Sequence, residues 1–138
     1  MMRAFNLLII EDDEIDVMTI ERSLKENDIG NPHMRARHGQ EALDMLKNGE
    51  ISRPLVILLD LSMPIMDGHE FLQEIRKDES LRDLPVIVMT VSTEESDKSL
   101  AYSNNVQGYI VKPLDFNDFI EVISKINAYW TMCELPNE

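Results

Sequence analysis

The chain has 138 residues, 43% of them apolar, and a formal net charge of −13. This describes one globular domain that buries about two-thirds of its unfolded surface rather than a disordered chain. The acidic balance excludes nonspecific attraction to a nucleic-acid phosphate backbone, so no nucleic-acid partner is expected. No apolar run reaches membrane-span length and no signal-type segment opens the sequence, so no membrane association is expected. Cys133 is the only cysteine, which rules out an internal disulfide and points to a reducing, cytoplasmic setting.

Five strand-like segments alternate with five helix-like ones. Residues 5–10 form an apolar run, followed by a helix over 14–25 with Val17, Ile20 and Leu24 on one face. The Asn31-Pro32 turn leads to a short second strand, in which Met34 and Ala36 alternate with His33, Arg35 and Arg37. A helix over 40–47 ends at Asn48-Gly49. The third strand covers 55–60, and a helix starts near Asp67-Gly68 with Phe71, Leu72 and Ile75 inward. Pro85 opens a fourth strand that ends at Thr90. Thr93, followed by Glu94-Glu95, is the expected cap of the fourth helix. The fifth strand is short, 109–111, and stops at Lys112-Pro113. Asp115 then caps a last helix with an apolar stripe of Phe116, Phe119, Ile120, Ile123 and Trp130.

Repeated strand–helix order implies parallel strands, right-handed crossovers and helices on both faces. The first, third and fourth strands are continuously apolar, as central strands are, whereas the alternating second and short fifth suit edges. The expected fold is a flavodoxin-like (βα)5 three-layer α/β sandwich with strand order 2-1-3-4-5, and its site lies at the carboxyl ends near strands one and three.

Those carboxyl ends carry Glu11-Asp12, Asp60, Thr90 and Lys112. Three carboxylates brought together repel one another, and one Mg²⁺ with the Lys112 ammonium would neutralise them. Mg²⁺ takes few carboxylates and completes its shell with water and phosphate, so the pocket is short of ligands until a phosphoryl group arrives. An Asp at a strand end beside a metal and a lysine can act as a nucleophile toward phosphorus. Taken singly, each residue has a plainer role: Asp12 or Asp13 as the cap of the first helix, Asp60 as a turn cap, Thr90 as an ordinary strand end. Their convergence from four strand ends is what argues for chemistry.

These residues resemble a known family. Glu11-Asp12, the run Leu58-Leu59-Asp60-Leu61-Ser62-Met63-Pro64 with Asp67-Gly68, Thr90 and Lys112-Pro113 are similar to the receiver domain of two-component response regulators, over essentially the whole chain. The resemblance implies Asp60 as phosphoacceptor for a sensor histidine kinase or histidine phosphotransfer protein. It implies Mg²⁺ held by Asp12 and Asp60, by Glu11 mainly through water, and by the backbone carbonyl of Ser62. Lys112 would contact the phosphoryl group, Thr90 and Tyr109 would be switch residues, and the Lys112-Pro113 bond would be cis. Turnover as an enzyme is not expected beyond self-phosphorylation and slow autodephosphorylation. A narrower likeness, to stand-alone regulators associated with bacterial phytochromes, rests on residues 11–17, Asn31-Pro32 and the stretch 129–136.

One departure is Val91, which follows the threonine where the family often has a smaller residue. Its β-branched side chain is expected to narrow access to the pocket. The fourth helix offers only Leu100, Ala101 and Tyr102 as apolar surface and is expected to be lightly anchored and mobile in signalling. Residues 1–130 are read as the receiver domain with no output domain, so output passes to an unidentified protein target or by phosphoryl relay. The tail 131–138 is a candidate homodimer contact: Trp130, Leu135 and Pro136 pack on a second copy, or Trp130 completes the chain's own core.

Two other activities share parts of this pattern. A haloacid-dehalogenase-type phosphatase also uses a strand-end Asp and Mg²⁺, but resembles an Asp-x-Asp motif that Asp60-Leu61-Ser62 lacks. A flavin carrier of the same winding would need a phosphate-cradling first loop, which Glu11-Asp12-Asp13 would repel.

Overall fold

A computed structural model of the protein describes residues 5–136. The elements run β1 (Asn6–Ile10), α1 (Glu14–Glu26), β2 (His33–Ala36), α2 (Gly39–Lys47), β3 (Leu55–Leu59), α3 (Gly68–Lys77), β4 (Val86–Thr90), α4 (Glu95–Ser103), β5 (Gly108–Val111) and α5 (Phe116–Met132). All four strand pairs are parallel and the sheet order is β2-β1-β3-β4-β5, as the hydrophobic pattern predicts.

Side-chain alternation divides the core between the two faces of the sheet. Leu8, Ile10, Ile57, Leu59, Val86 and Val88 meet α2 and α3 through Leu43, Phe71, Leu72 and Ile75. On the opposite face Leu7, Ile9, Val56, Leu58, Ile87 and Met89 meet α1 and α5 through Ile20, Leu24, Phe119, Ile123 and Trp130. Burial on both faces is why three strands read as unbroken apolar runs. At the edge, β2 buries Ala36 but leaves Met34 exposed, so the expected alternation there is only partial.

Local chemistry sets the helix starts. Asp13, rather than Asp12, caps α1 by accepting from the Ile15 and Asp16 amides. Asp67 and Glu70 form a reciprocal capping box on α3, and Asp115 caps α5. The fourth helix departs from expectation. Its N-cap residue is Glu94, without a side-chain cap bond, and Thr93 does not cap it. Ser92 intervenes instead: its hydroxyl oxygen accepts from the Glu94 amide at 3.2 Å and its hydroxyl donates to Asp97 at 2.5 Å.

Only Ala101 of α4 is buried, while Leu100 and Tyr102 are exposed. Two side-chain contacts tether the helix to α3. His69 pairs with Asp97 at 3.0 Å near the start, and Arg76 donates to the carbonyls of Asn104 at 2.7 Å and Asn105 at 3.1 Å just past the end.

Trp130 is 3% exposed within the α1–α5 side of the core, and Leu135 packs partly against the same cluster. The tail therefore begins by folding back on its own domain, and α5 continues through Met132, beyond the expected boundary at 130. Residues 1–4 of the expected domain and 137–138 of the expected tail lie outside the described residues. Among the described residues the cis peptide bond is Arg53-Pro54. Lys112-Pro113 is not cis, contrary to the family-based expectation; there the Lys112 amide donates to the Thr90 carbonyl at 2.8 Å, continuing the parallel pairing of β4 and β5.

Candidate functional site

Parallel register brings the carboxyl ends of β1, β3, β4 and β5 to one edge of the sheet, and the polar groups sit at the last residue of β4 and just beyond the other three. Glu11 follows β1 and its amide donates to the Ala36 carbonyl at 3.0 Å; Asp60 follows β3 and its amide donates to the Ile10 carbonyl at 3.0 Å. Thus the sheet's own bonding, continued one residue past the strands, fixes where both carboxylates start. Glu11 and Asp60 are buried, at 2% and 6% exposure, whereas Asp12 faces solvent. Carboxylate oxygens of Glu11, Asp12 and Asp60 lie within 4.8 Å of one another, a group that could hold a metal ion. An all-oxygen donor set with an open, solvent-facing member suits a hard divalent cation that keeps part of its water shell.

The loop between Asp60 and α3 is shaped by close backbone approach. A Cβ on Gly68 would stand 2.6 Å from the Asp60 carbonyl oxygen, so only glycine lets α3 begin there. The Gly68 amide donates to the Leu61 carbonyl at 3.1 Å, and the Ser62 amide points to Asp60 Oδ1 at 3.5 Å. Ile65, 78% exposed, adopts φ 67° while the Met66 amide donates to the Pro64 carbonyl at 2.7 Å. A β-branched residue in that region is strained, and this turn stores some of that strain four to six residues past Asp60.

Lys112 follows β5 and reaches across the edge, its side chain 7% exposed. Its Nζ lies 2.7 Å from Glu11 Oε1, 2.6 Å from Asp16 Oδ2 and 3.5 Å from Asp60 Oδ2. Burial alone would lower the lysine's affinity for its proton. The hydrogen bonds to Asp16 and Glu11, with the charges of Glu11 and Asp60, outweigh that and hold it above the ordinary lysine range. Burial pushes the Glu11 carboxyl up to about 8; the Lys112 hydrogen bond opposes the shift and the Asp60 charge adds to it. Repulsion among clustered acids is thus relieved partly by lysine and partly by an easily retained proton.

Thr90 ends β4 at 0% exposure, and its buried Oγ1 has no hydrogen-bond partner within the protein. A buried hydroxyl left unpaired costs about 1–3 kcal/mol, so this one has a donor to spare at the sheet edge. Tyr109 on β5 is half-buried, and its hydroxyl donates to the Ser92 carbonyl at 3.0 Å. Burial raises the Tyr109 hydroxyl above its usual pKa, so it stays a neutral donor. Val91 is 66% exposed and borders a cleft of about 260 Å³ shared with Asp16, Lys112 and Leu114. It stands on the approach to the lysine rather than packed inside the pocket.

Of the expected site residues the structure brings Glu11, Asp12, Asp60 and Lys112 together, with the Ser62 amide beside Asp60; Thr90 ends the neighbouring strand, and Tyr109 lies two residues back on β5 with its hydroxyl on Ser92. Sequence reasoning missed five contributors. Asp16 was visible only as one acid in a row of them, although its position one helical turn after Asp12 points toward the same edge. Arg35 donates to the carbonyls of Glu11 at 2.9 Å and Asp12 at 3.3 Å, bracing the turn that presents both acids. Ser92 and Asp97, with His69, link the loop after Thr90 to α3, a contact between distant segments that no local pattern announces.

Comparison with known proteins agrees with this arrangement. The family described as the response regulator receiver domain matches residues 7–124. The probable methanogenesis regulatory protein FilR2 of Methanothrix harundinacea is 40% identical over 129 residues, covering 91% of this chain and 83% of that protein. Response regulator Rcp1 of Synechocystis is 33% identical over 90% of this chain and 87% of its own. The Mn²⁺-bound form of Rcp1 superimposes with TM-score 0.86 at 31% identity, covering 96% of this chain and 99% of that one. The phosphorylated cyanobacterial phytochrome response regulator RcpA superimposes with TM-score 0.89 at 30% identity, over 97% and 99% of the two chains. Among the described residues no helix is long and apolar enough to cross a membrane. The sheet order, the acidic cluster opposite a buried lysine and the match along residues 7–124 lead to one conclusion: the chain belongs to the response regulator receiver domain family of two-component systems.

Proposed function

We propose that this chain accepts a phosphoryl group on Asp60 from a histidine of a sensor kinase or a histidine phosphotransfer protein, with Mg²⁺ in the acidic cluster. The observation that carries the reading is the placement of the buried Asp60 carboxylate between two acids within 4.8 Å and an ammonium at 3.5 Å. A small, oxygen-rich, negatively charged group paired with a cation matches both sides of that pocket. The Mn²⁺-bound Rcp1 and the phosphorylated RcpA support it by analogy.

In the transfer, an Asp60 carboxylate oxygen bonds to phosphorus as the bond from phosphorus to the donor nitrogen breaks, and the nitrogen keeps the electron pair. Asp60, Asp12, Glu11 (mainly through water) and the Ser62 carbonyl would hold the metal. Bound Mg²⁺ supplies positive charge to the phosphoryl oxygens. Lys112 supplies the remaining charge, and the unpaired Thr90 hydroxyl donates to a phosphoryl oxygen.

Readout follows from the same hydroxyl. Movement of Thr90 toward the phosphoryl group opens space beside β5, Tyr109 moves into it, and α4 shifts with the 91–94 loop. The altered α4–β5 surface then binds a downstream protein. The unit does not turn over substrate as an enzyme; the phosphoryl group stays until hydrolysis or relay.

The test is incubation with acetyl phosphate and Mg²⁺ followed by intact mass measurement of wild type and Asp60→Asn. Wild type gains one phosphoryl group, wild type treated with EDTA does not, and Asp60→Asn does not. An adduct formed equally by Asp60→Asn would overturn the assignment.

A further inference from the structure

Lys112 is shared among three carboxylates, and only two of them hold it closely. Its ammonium has three N–H donors. One goes to Glu11 at 2.7 Å and one to Asp16 at 2.6 Å, while Asp60 stands off at 3.5 Å, outside the range of about 2.7–2.9 Å usual for charge-assisted bonds. The residue meant to greet the phosphoryl group is thus drawn toward α1 before that group arrives.

The two close partners differ in how easily they let go. The Glu11 side chain is 3% exposed, so losing the lysine would leave its buried oxygen without that partner and out of reach of water, which is costly. The Asp16 side chain is 28% exposed, one turn into α1, and water can resolvate it when the lysine leaves. Asp16 is also outside the group of acids that could hold a cation, which comprises Glu11, Asp12 and Asp60. It shares the lysine without sharing the metal.

We infer that Asp16 is a positioning residue that occupies a Lys112 donor as an internal anion and yields it to the phosphoryl group on Asp60. The inference rests on the reading of Asp60 given above. In the resting protein Asp16 keeps Lys112 extended along the edge, and the incoming phosphoryl oxygens must compete with it. Once Asp60 is phosphorylated, the dianionic group outbids a monoanionic, solvent-facing carboxylate and the lysine swings from α1 to the new charge. Asp16 thereby sets a threshold: it slows capture of the phosphoryl group and couples the first turn of α1 to the state of Asp60.

The experiment compares phosphorylation rates in saturating Mg²⁺ and subsaturating acetyl phosphate, read by intact mass, for wild type, Asp16→Asn, Asp16→Glu and Glu14→Gln. Glu14 lies in the same turn, 67% exposed and paired with Arg35 at 2.8 Å, so its variant removes one negative charge without touching Lys112. Asp16→Asn should phosphorylate roughly fivefold faster than wild type, the equivalent of one partly exposed ion pair, while Glu14→Gln stays within about twofold. Asp16→Glu restores the carboxylate and should return the rate to within about twofold of wild type. A residue of merely structural importance would lower the rate when replaced, not raise it. An unchanged or slower Asp16→Asn overturns the inference, as does an equal rise in Glu14→Gln, which would mean general charge repulsion of the donor. Absence of an adduct on wild type is a different failure: it removes the reading of Asp60, and this inference with it.

Discussion

The Tyr109 hydroxyl donates to the backbone carbonyl of Ser92 at 3.0 Å, tying the β5 ring to the loop that follows Thr90. The same Ser92 holds Asp97 through its side chain, and Asp97 holds His69. A change at Thr90 therefore meets a short chain of polar contacts leading to α4. Phosphorylation should alter amide hydrogen exchange across residues 91–112. Asp97→Ala, which removes both side-chain contacts at the start of α4, should speed exchange there by about fivefold even without phosphorylation. Identical exchange in the phosphorylated and unphosphorylated protein would rule out the switch.

Gly68→Ala tests how tightly α3 is set against Asp60. The new Cβ would meet the Asp60 carbonyl oxygen at 2.6 Å and the Leu61 Cα at 2.8 Å, both backbone atoms that cannot simply rotate away. A loss of about 1–3 kcal/mol in urea unfolding is expected, together with slower phosphorylation. Full stability in this variant would mean that the loop yields freely.

The Glu11 carboxyl supplies a pH dependence. Its pKa rises from an ordinary 4.5 to about 8 in the folded, metal-free protein, mainly through burial. The folded state therefore holds this proton more tightly than the unfolded chain. The associated stability is fully present below the unfolded value and is lost as pH rises through about 8. In EDTA the urea midpoint should fall across this window, and Glu11→Gln should flatten the decline. Added Mg²⁺ requires the deprotonated acid, so its stabilising effect should grow with pH over the same interval. A midpoint that rises with pH in EDTA would contradict the shift.

Val91 borders the cleft beside Lys112 and is two-thirds solvent-exposed, so shortening it should widen the approach without disturbing the core. Val91→Ala is expected to change the melting temperature by less than about 2 °C, as surface substitutions do, and to increase phosphorylation by acetyl phosphate about threefold. Equal rates in the two proteins would show that access is not controlled there.

Most of the architecture was legible because the signals are periodic. Continuous runs at 55–59 and 86–89 announced buried strands, and the polar residues at the ends of four strands announced the site. What escaped was set by contacts between distant segments. Thr93 is a good cap by type, yet Ser92 fills that space because Asp97 is within reach of its hydroxyl. The cis bond could not be located by analogy, since it lies at Arg53-Pro54 rather than Lys112-Pro113. Asp16 was hidden as one of five acids in six residues, and only the reach of Lys112 from 96 positions away singles it out. Trp130 was open between two packings by sequence, and burial at 3% exposure decides for the chain's own core.

The tethers of α4 to α3 have a mechanical consequence. Arg76 grips the carbonyls of Asn104 and Asn105 beyond one end of the helix and also reaches those of Arg82 and Leu84, whereas the other end hangs on His69–Asp97. The two fastenings differ in kind: two guanidinium bonds to backbone carbonyls past one end, and at the other a single Asp97 carboxylate held by His69 and Ser92. If the Asp97 contacts let go while Arg76 holds, α4 would pivot near Asn104 like a gate on its hinge post. The widest arc would then be traced by residues 95–97, the first turn of the helix.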